Sequence, residues 1–128
     1  MRLLLDTPIL IWAAEQSDRL PRAAAMLLND ERNMLQFSSV SIAEVAIKNA
    51  LGRSAFPYGA AELREGLLAN GYDELALTGD HAVALAALPT IHKDPFDRLL
   101  IAQATAEGMR LVSGDRNVIR YGGVVLAV

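Results

Sequence analysis

The chain has no cysteine in its 128 residues, which excludes disulfides and thiolate zinc sites. Histidine is scarce as well: His81 and His92 are too few for a histidine-rich metal centre, so any bound cation falls to oxygen ligands, which favour magnesium or manganese. No apolar stretch approaches the roughly 20 residues that a membrane span needs. No secretory leader is evident, because Asp6 interrupts the apolar pattern almost at once. These absences predict a cytoplasmic protein with no membrane association. An excess of positive charge is also missing: twelve basic residues stand against fifteen acidic ones, for a net charge of −3. That balance is not the footprint of a generic polyanion binder.

What is present is apolar surface, 52% of the residues. Such a chain suits one domain over residues 1–128, and a domain of this size buries about two thirds of the surface of its unfolded form. Apolar character without a membrane span implies that a second copy or another protein covers part of it.

Residues 2–5 are a continuous apolar run, as in a strand buried on both faces of a parallel sheet. Helix is predicted to follow at once, with Thr7 as cap, Pro8 at the first helical position, and Ile9, Leu10, Trp12 and Ala13 as the apolar face. A second helix is expected over 21–29, packing through Ala23, Ala24, Met26, Leu27 and Leu28. A strand at 34–38 precedes a helix over 41–50, where Ser41 and Glu44 match the S-x-x-E capping box. A loop over 52–59, a helix over 60–69, a strand at 74–77 and a helix over 80–88 follow. The best-marked helix runs from Pro95 to Glu107, capped by Asp94 and stopped by Gly108. Strands at 110–113 and 124–127 close the chain. This alternation predicts a three-layer α/β/α domain with a mainly parallel sheet of four or five strands.

Four acids sit where apolar segments give way to turns or first helical turns: Asp6, Glu44, Asp97 and Asp115. Each has an ordinary explanation. Asp6 suits a helix N-terminus, Glu44 suits a capping box and an ion pair with Lys48, Asp97 suits the first helical turn, and Asp115 suits a turn. Their shared placement is harder to dismiss, because ligands of open parallel sheets bind outside the carboxyl ends of the strands. Gathered there, the carboxylates repel, at about 3 kcal/mol per pair for 5 Å and an effective dielectric of about 20. Such a cluster takes up protons or holds a cation. A divalent ion would neutralise it and activate water against a phosphodiester, the chemistry of a metal-dependent nuclease.

The segments LLLDTPILIW, SVSIAEVAIKNALG, HKDPFDRLLIAQA and LVSGDRNVIRYG cover about half of the positions. Through them the chain resembles the PIN-domain ribonucleases, most closely the VapC-type toxins of bacterial type II toxin-antitoxin pairs. The resemblance implies a Mg²⁺- or Mn²⁺-dependent endoribonuclease cleaving transfer or ribosomal RNA. Asp6, Glu44, Asp97 and Asp115 would form its catalytic quartet, with Asp6 and Asp97 as direct metal ligands and Asp94 and Ser113 in support. It also implies a homodimer held inactive by a cognate antitoxin, whose helix or extended tail occupies an apolar groove. Two positions depart from the family pattern: Pro8 stands where a His or Ser is common, and Ser113-Gly114-Asp115 replaces T-x-D.

Lys48, Arg98 and Arg116 lie close to the acids in sequence and are candidate phosphate contacts, with solvated surface as the alternative. His92 is expected to be an exposed loop residue, and Trp12 a core or interface anchor. Two other readings compete: a catalytically silent PIN-like binding module, and an aspartyl-phosphate-type phosphotransferase. The latter wants a second Asp two residues after the first, where Pro8 stands.

Overall fold

The structure, a computed structural model, describes residues 1–53 and 57–128. The middle of the predicted 52–59 loop lies outside the described residues. Five strands form one sheet: β1 (Arg2–Leu5), β2 (Met34–Ser38), β3 (Asp73–Leu75), β4 (Arg110–Ser113) and β5 (Val125–Ala127), in the order β3-β2-β1-β4-β5 and parallel throughout. The third and fifth strands are shorter than the sequence implies, three residues each, as expected of edge strands that pair on one side only.

Helices cover both faces, as predicted for a three-layer α/β/α fold. Side-chain alternation along the central strands divides the core in two. Leu3 and Leu5 of β1 and Val112 of β4 face one layer, which holds α1 (Thr7–Ala14), α2 (Arg22–Asn29) and α4 (Ala60–Ala69). Leu4 and Leu111 face the other, under α6 (Pro95–Glu107) and α7 (Arg116–Ile119). The α3 helix (Ser39–Ala50) reaches both, with Val45 in the first cluster and Val40 in the second. Leu3, Leu4 and Leu5 are all fully buried, so the continuous apolar run serves two cores at once. Each such side chain contributes about 1.5–3 kcal/mol by leaving water.

Several local details differ from expectation. The 80–88 helix divides into α5 (Gly79–Ala84) and a 3-10 turn over Leu85–Ala87, and its capping box pairs Thr78 with His81. The α2 packing face is Ala24, Leu27 and Leu28, while Met26 is exposed. Gly108 ends α6 in the left-handed region, at φ 66°, as the sequence predicted.

The strand order fixes the place of a site. From β1 the chain moves outward through β2 and β3, then returns to lay β4 on the other side of β1. The carboxyl ends of β1 and β4 therefore flank the switch point of the sheet, where loops diverge to opposite layers and leave a crevice. Among the described residues, no helix is long and apolar enough to cross a membrane.

Candidate functional site

Asp6 follows β1 and keeps its backbone in the ladder, its N–H donating to Val112 O at 3.1 Å. Its side chain then caps α1, Oδ1 accepting from the Ile9 N–H at 3.1 Å. From sequence alone, Thr7 is the expected cap. The extended backbone of Asp6 makes it the capping residue, so Thr7 becomes the first helical residue and its hydroxyl is free for another partner. That hydroxyl donates to Glu44 Oε1 at 2.8 Å and exchanges a hydrogen bond with Ser41 Oγ at 2.9 Å.

The predicted Ser41–Glu44 capping box does not form. The α3 helix begins two residues earlier, at Ser39, and its cap is Ser38, whose Oγ accepts from the Val40 N–H at 2.9 Å. Ser41 and Glu44 are consequently inside the helix and buried, facing Thr7. Across the switch point, the Ser113 hydroxyl at the end of β4 hydrogen-bonds the Asp6 carboxylate and accepts from the Asp115 N–H at 3.1 Å. Asp115 caps α7 through the Asn117 N–H at 2.8 Å and is exposed. Asp94 caps α6 as predicted, Oδ1 accepting from the Phe96 and Asp97 N–H groups at 2.9 and 3.1 Å.

The acids act on one another. Burial pushes the Asp6 carboxyl up to about 7; hydrogen bonds from Ser113 and the Ile9 N–H oppose the rise, and the charges of Asp97 and Asp115 add to it. Burial likewise raises Asp97 to about 6, against a hydrogen bond with His92 and with help from the charges of Asp94 and Glu44. Asp6, Glu44, Asp94, Asp97 and Asp115 thus form one electrostatic group at the carboxyl edge of the sheet. Lys48 hydrogen-bonds Glu44, which pushes its ammonium above the usual range, and it also feels Asp94 and Asp97.

His92 is not the exposed loop residue expected. It is half-buried, with Nε2 2.8 Å from Asp97 Oδ2. One ligand atom from each of His92, Asp94 and Asp97 lies within 4.8 Å of the others, which makes this trio the metal-compatible cluster among the described residues. The signal was present in the sequence as His-x-Asp-x-x-Asp, residues 92, 94 and 97, but an i, i+2, i+5 spacing crosses a helix start and follows no single period. Thr7 and Ser41 carry no separate site signal in the sequence, since both residue types also suit helix caps.

The three candidate cations part company. Lys48 sits at the acids. Arg116 is exposed at the first position of α7, next to Asp115. Arg98 is held elsewhere, donating to Pro89 O and Tyr121 Oη at 3.0 Å each, so it braces the loop before α6. Trp12 is half-buried against the first core cluster. With Pro8, Ile9 and Gly114 it lines a cavity of about 210 Å³ whose acidic members are Asp6 and Asp115.

Buried Asp6 and Glu44, half-buried Asp94 and Asp97 and exposed Asp115 gather with one imidazole at the switch point of a parallel sheet, a donor set whose chemistry fits a hard divalent cation. The PIN domain family model matches residues 3–124, and the chain belongs to that family. Solved structures share its fold. VapBC2 from Rickettsia felis, bound to a DNA fragment from its promoter, is 17% identical, with 100% of this chain and 98% of that chain covered and a TM-score of 0.68. A toxin-antitoxin complex from Klebsiella pneumoniae is 19% identical, with 98% and 96% covered and a TM-score of 0.67. FitAcB from Neisseria gonorrhoeae is 14% identical, with 93% and 91% covered and a TM-score of 0.61. No match is found among curated proteins.

Proposed function

We propose that this chain is a VapC-type toxin, a divalent-metal-dependent endoribonuclease acting in the cytoplasm as one functional unit over residues 1–128. The observation that carries this reading is that the charges of Asp97 and Asp115, about a hundred positions away, both bear on the buried Asp6 carboxyl, while its neighbour Thr7 hydrogen-bonds the buried Glu44. A buried Asp6 and a half-buried Asp97 with raised pKa values are poor permanent anions, and their oxygens, unshared with any arginine among the described residues, suit a cation. Asp6 and Asp97 would hold Mg²⁺ or Mn²⁺, with Glu44 and Asp115 completing the site. A divalent ion held by these residues would supply a water of lowered pKa and charge stabilisation at a phosphodiester.

The protein's own groups prepare that site. Ser113 orients the Asp6 carboxylate and the Asp115 backbone together. Thr7 fixes Glu44, and Lys48 balances its charge. Asp94 anchors the first turn of α6, which sets the position of Asp97. Lys48 and Arg116 are the phosphate contacts in this reading; Arg98 is not, because its guanidinium is turned to Pro89 O and Tyr121 Oη through Nη1.

The toxin reading also rests on the fold shared with VapBC2 and with the Klebsiella pneumoniae toxin-antitoxin complex. An open groove of about 1080 Å³ between α1, α2 and α4, with Leu20, Leu28, Leu63, Leu67 and Tyr72 in its walls, suits a helix or tail of an antitoxin. Exposed Ile47, Leu51 and Val83 supply apolar surface for a homodimer. Transfer or ribosomal RNA is the expected substrate. The deciding experiment is cleavage of total RNA by purified protein with Mg²⁺, with Mn²⁺ and with chelator, beside Asp97→Asn. Cutting by the wild type that requires metal and is lost in the variant supports the reading. Equal cutting by both proteins overturns it.

A further inference from the structure

The trio on the loop into α6 differs in chemistry from the all-carboxylate quartet. In His92, Asp94 and Asp97 an imidazole joins two carboxylates, with ligand atoms within 4.8 Å of one another. An octahedral ion with ligands at about 2.0–2.1 Å places neighbouring ligand atoms on the order of 3 Å apart. His92 Nε2 and Asp97 Oδ2, hydrogen-bonded at 2.8 Å, already stand at the separation of such an edge. Asp94 spends Oδ1 on two backbone N–H groups, and its other oxygen takes part in neither bond. Both residues around the imidazole are tied down. The His92 N–H donates to Tyr121 Oη at 3.1 Å, and Arg98 donates to the same hydroxyl at 3.0 Å while also contacting Pro89 O. Arg98 and Tyr121 thus hold the His92 backbone against the start of α6, an arrangement that a solvent-washed loop histidine does not need.

We infer that His92 is a direct ligand of the divalent ion, through Nε2 and next to Asp97, and that it biases the site toward Mn²⁺ over Mg²⁺. The inference rests on the nuclease reading above and adds to it a nitrogen donor and a metal preference. The selectivity follows from ligand chemistry: Mn²⁺ and Mg²⁺ both accept carboxylate and water oxygens, but Mg²⁺ is the harder ion and gives up its waters reluctantly, so replacing an oxygen by an imidazole nitrogen costs Mg²⁺ more than Mn²⁺. It also gives Arg98 and Tyr121 a task, since together they position the ligand.

The test is pulsed electron paramagnetic resonance of the wild-type protein loaded with Mn²⁺, with metal affinities measured by calorimetry. A directly bound imidazole produces ¹⁴N hyperfine coupling. His81 does not compete for the assignment, because it is buried with Nε2 2.9 Å from Glu107 Oε2 and Nδ1 accepting from the Thr78 N–H at 3.0 Å. The expected result is ¹⁴N coupling in the wild type that disappears in His92→Ala. The Mn²⁺-over-Mg²⁺ affinity ratio should fall about tenfold or more in that variant, since even outer partners of metal ligands cost about 10–100-fold. The wild-type spectrum carries the inference even if the variant folds poorly. Saturable Mn²⁺ binding with no ¹⁴N coupling overturns the His92 assignment and leaves the nuclease reading standing. Absence of any saturable Mn²⁺ binding in the wild type overturns both.

Discussion

Thr7 Oγ1 and Glu44 Oε1 are 2.8 Å apart, and this bond joins the end of the first strand to the middle of α3 across 37 positions of sequence. Glu44 is thereby held by two neighbours, the Thr7 hydroxyl and the Lys48 ammonium, and its orientation is set before any ligand arrives.

Thr7→Val keeps the shape and removes the hydroxyl. Ser41 and Glu44 each lose a buried partner, so urea denaturation should show a loss of about 1–3 kcal/mol. Thr7→Ser retains the hydroxyl and should recover most of that stability. In the proposed nuclease, cleavage falls with Thr7→Val and returns with Thr7→Ser. Equal stability of the valine variant and the wild type would show that the bond contributes nothing.

The pKa shifts fix a pH dependence for the metal-free protein. Asp6 at about 7 and Asp97 at about 6 both lie above the ordinary value of 3.8. Between those limits the folded form binds more protons than the unfolded one, so folding stability is full below pH of about 4 and declines as pH rises toward 7. Melting temperature in chelator, recorded across this window, should therefore fall with pH. A rise attributable to these two groups would contradict the assigned burial.

Asp6→Asn removes the cost of ionising a buried group while keeping an oxygen for the Ile9 N–H. In chelator at pH 7 the variant is expected to be more stable than the wild type, by up to about 4 kcal/mol, because the Asp6 carboxyl rises from 3.8 to about 7 and one pKa unit corresponds to about 1.4 kcal/mol. With Mn²⁺ present the order should reverse, since only the wild type gains from binding. Differential scanning calorimetry with and without metal reads both signs.

Arg98 and Arg116 should separate cleanly. Arg98→Ala loosens the Pro89 and Tyr121 contacts and should lower the melting temperature with little effect on the salt dependence of RNA affinity. Arg116→Ala should leave stability within about 0.5 kcal/mol and reduce the salt slope by about one unit. Affinity titrations over a series of salt concentrations, beside thermal melts, distinguish the two.

Leu4→Ala tests the two-sided sheet. Leu4 is fully buried against α6 and α7, so a loss of about 2–5 kcal/mol is expected by denaturant unfolding. A loss under 1 kcal/mol would place that layer outside the cooperative core.

Local sequence carried much of this protein. The run at residues 2–5, Pro95 after Asp94, and Gly108 after Glu107 are short-range signals, and each marks the element it predicts. The acids could be nominated for the same reason, since strand ends and first helical turns can be read one segment at a time. Errors came where two local explanations competed. Ser38 and Ser41 are both good caps, as are Asp6 and Thr7, and only the paths of β1 and β2 into the sheet decide which residue still has extended backbone.

Relations through space were beyond any single segment. That β4 lies beside β1, bringing Ser113 to Asp6, is a property of strand order, which no residue spacing encodes. The same holds for Arg98, whose side chain is spent on Tyr121, and for His92, whose imidazole meets Asp97 because the chain turns sharply before α6. The residues by themselves determined which elements form and which carboxylates stand at their ends, because backbone preference and capping act over a few positions. Tertiary structure alone decided which of those ends meet and how far each acid is desolvated, because burial and Coulomb forces depend on distance in space and not along the chain.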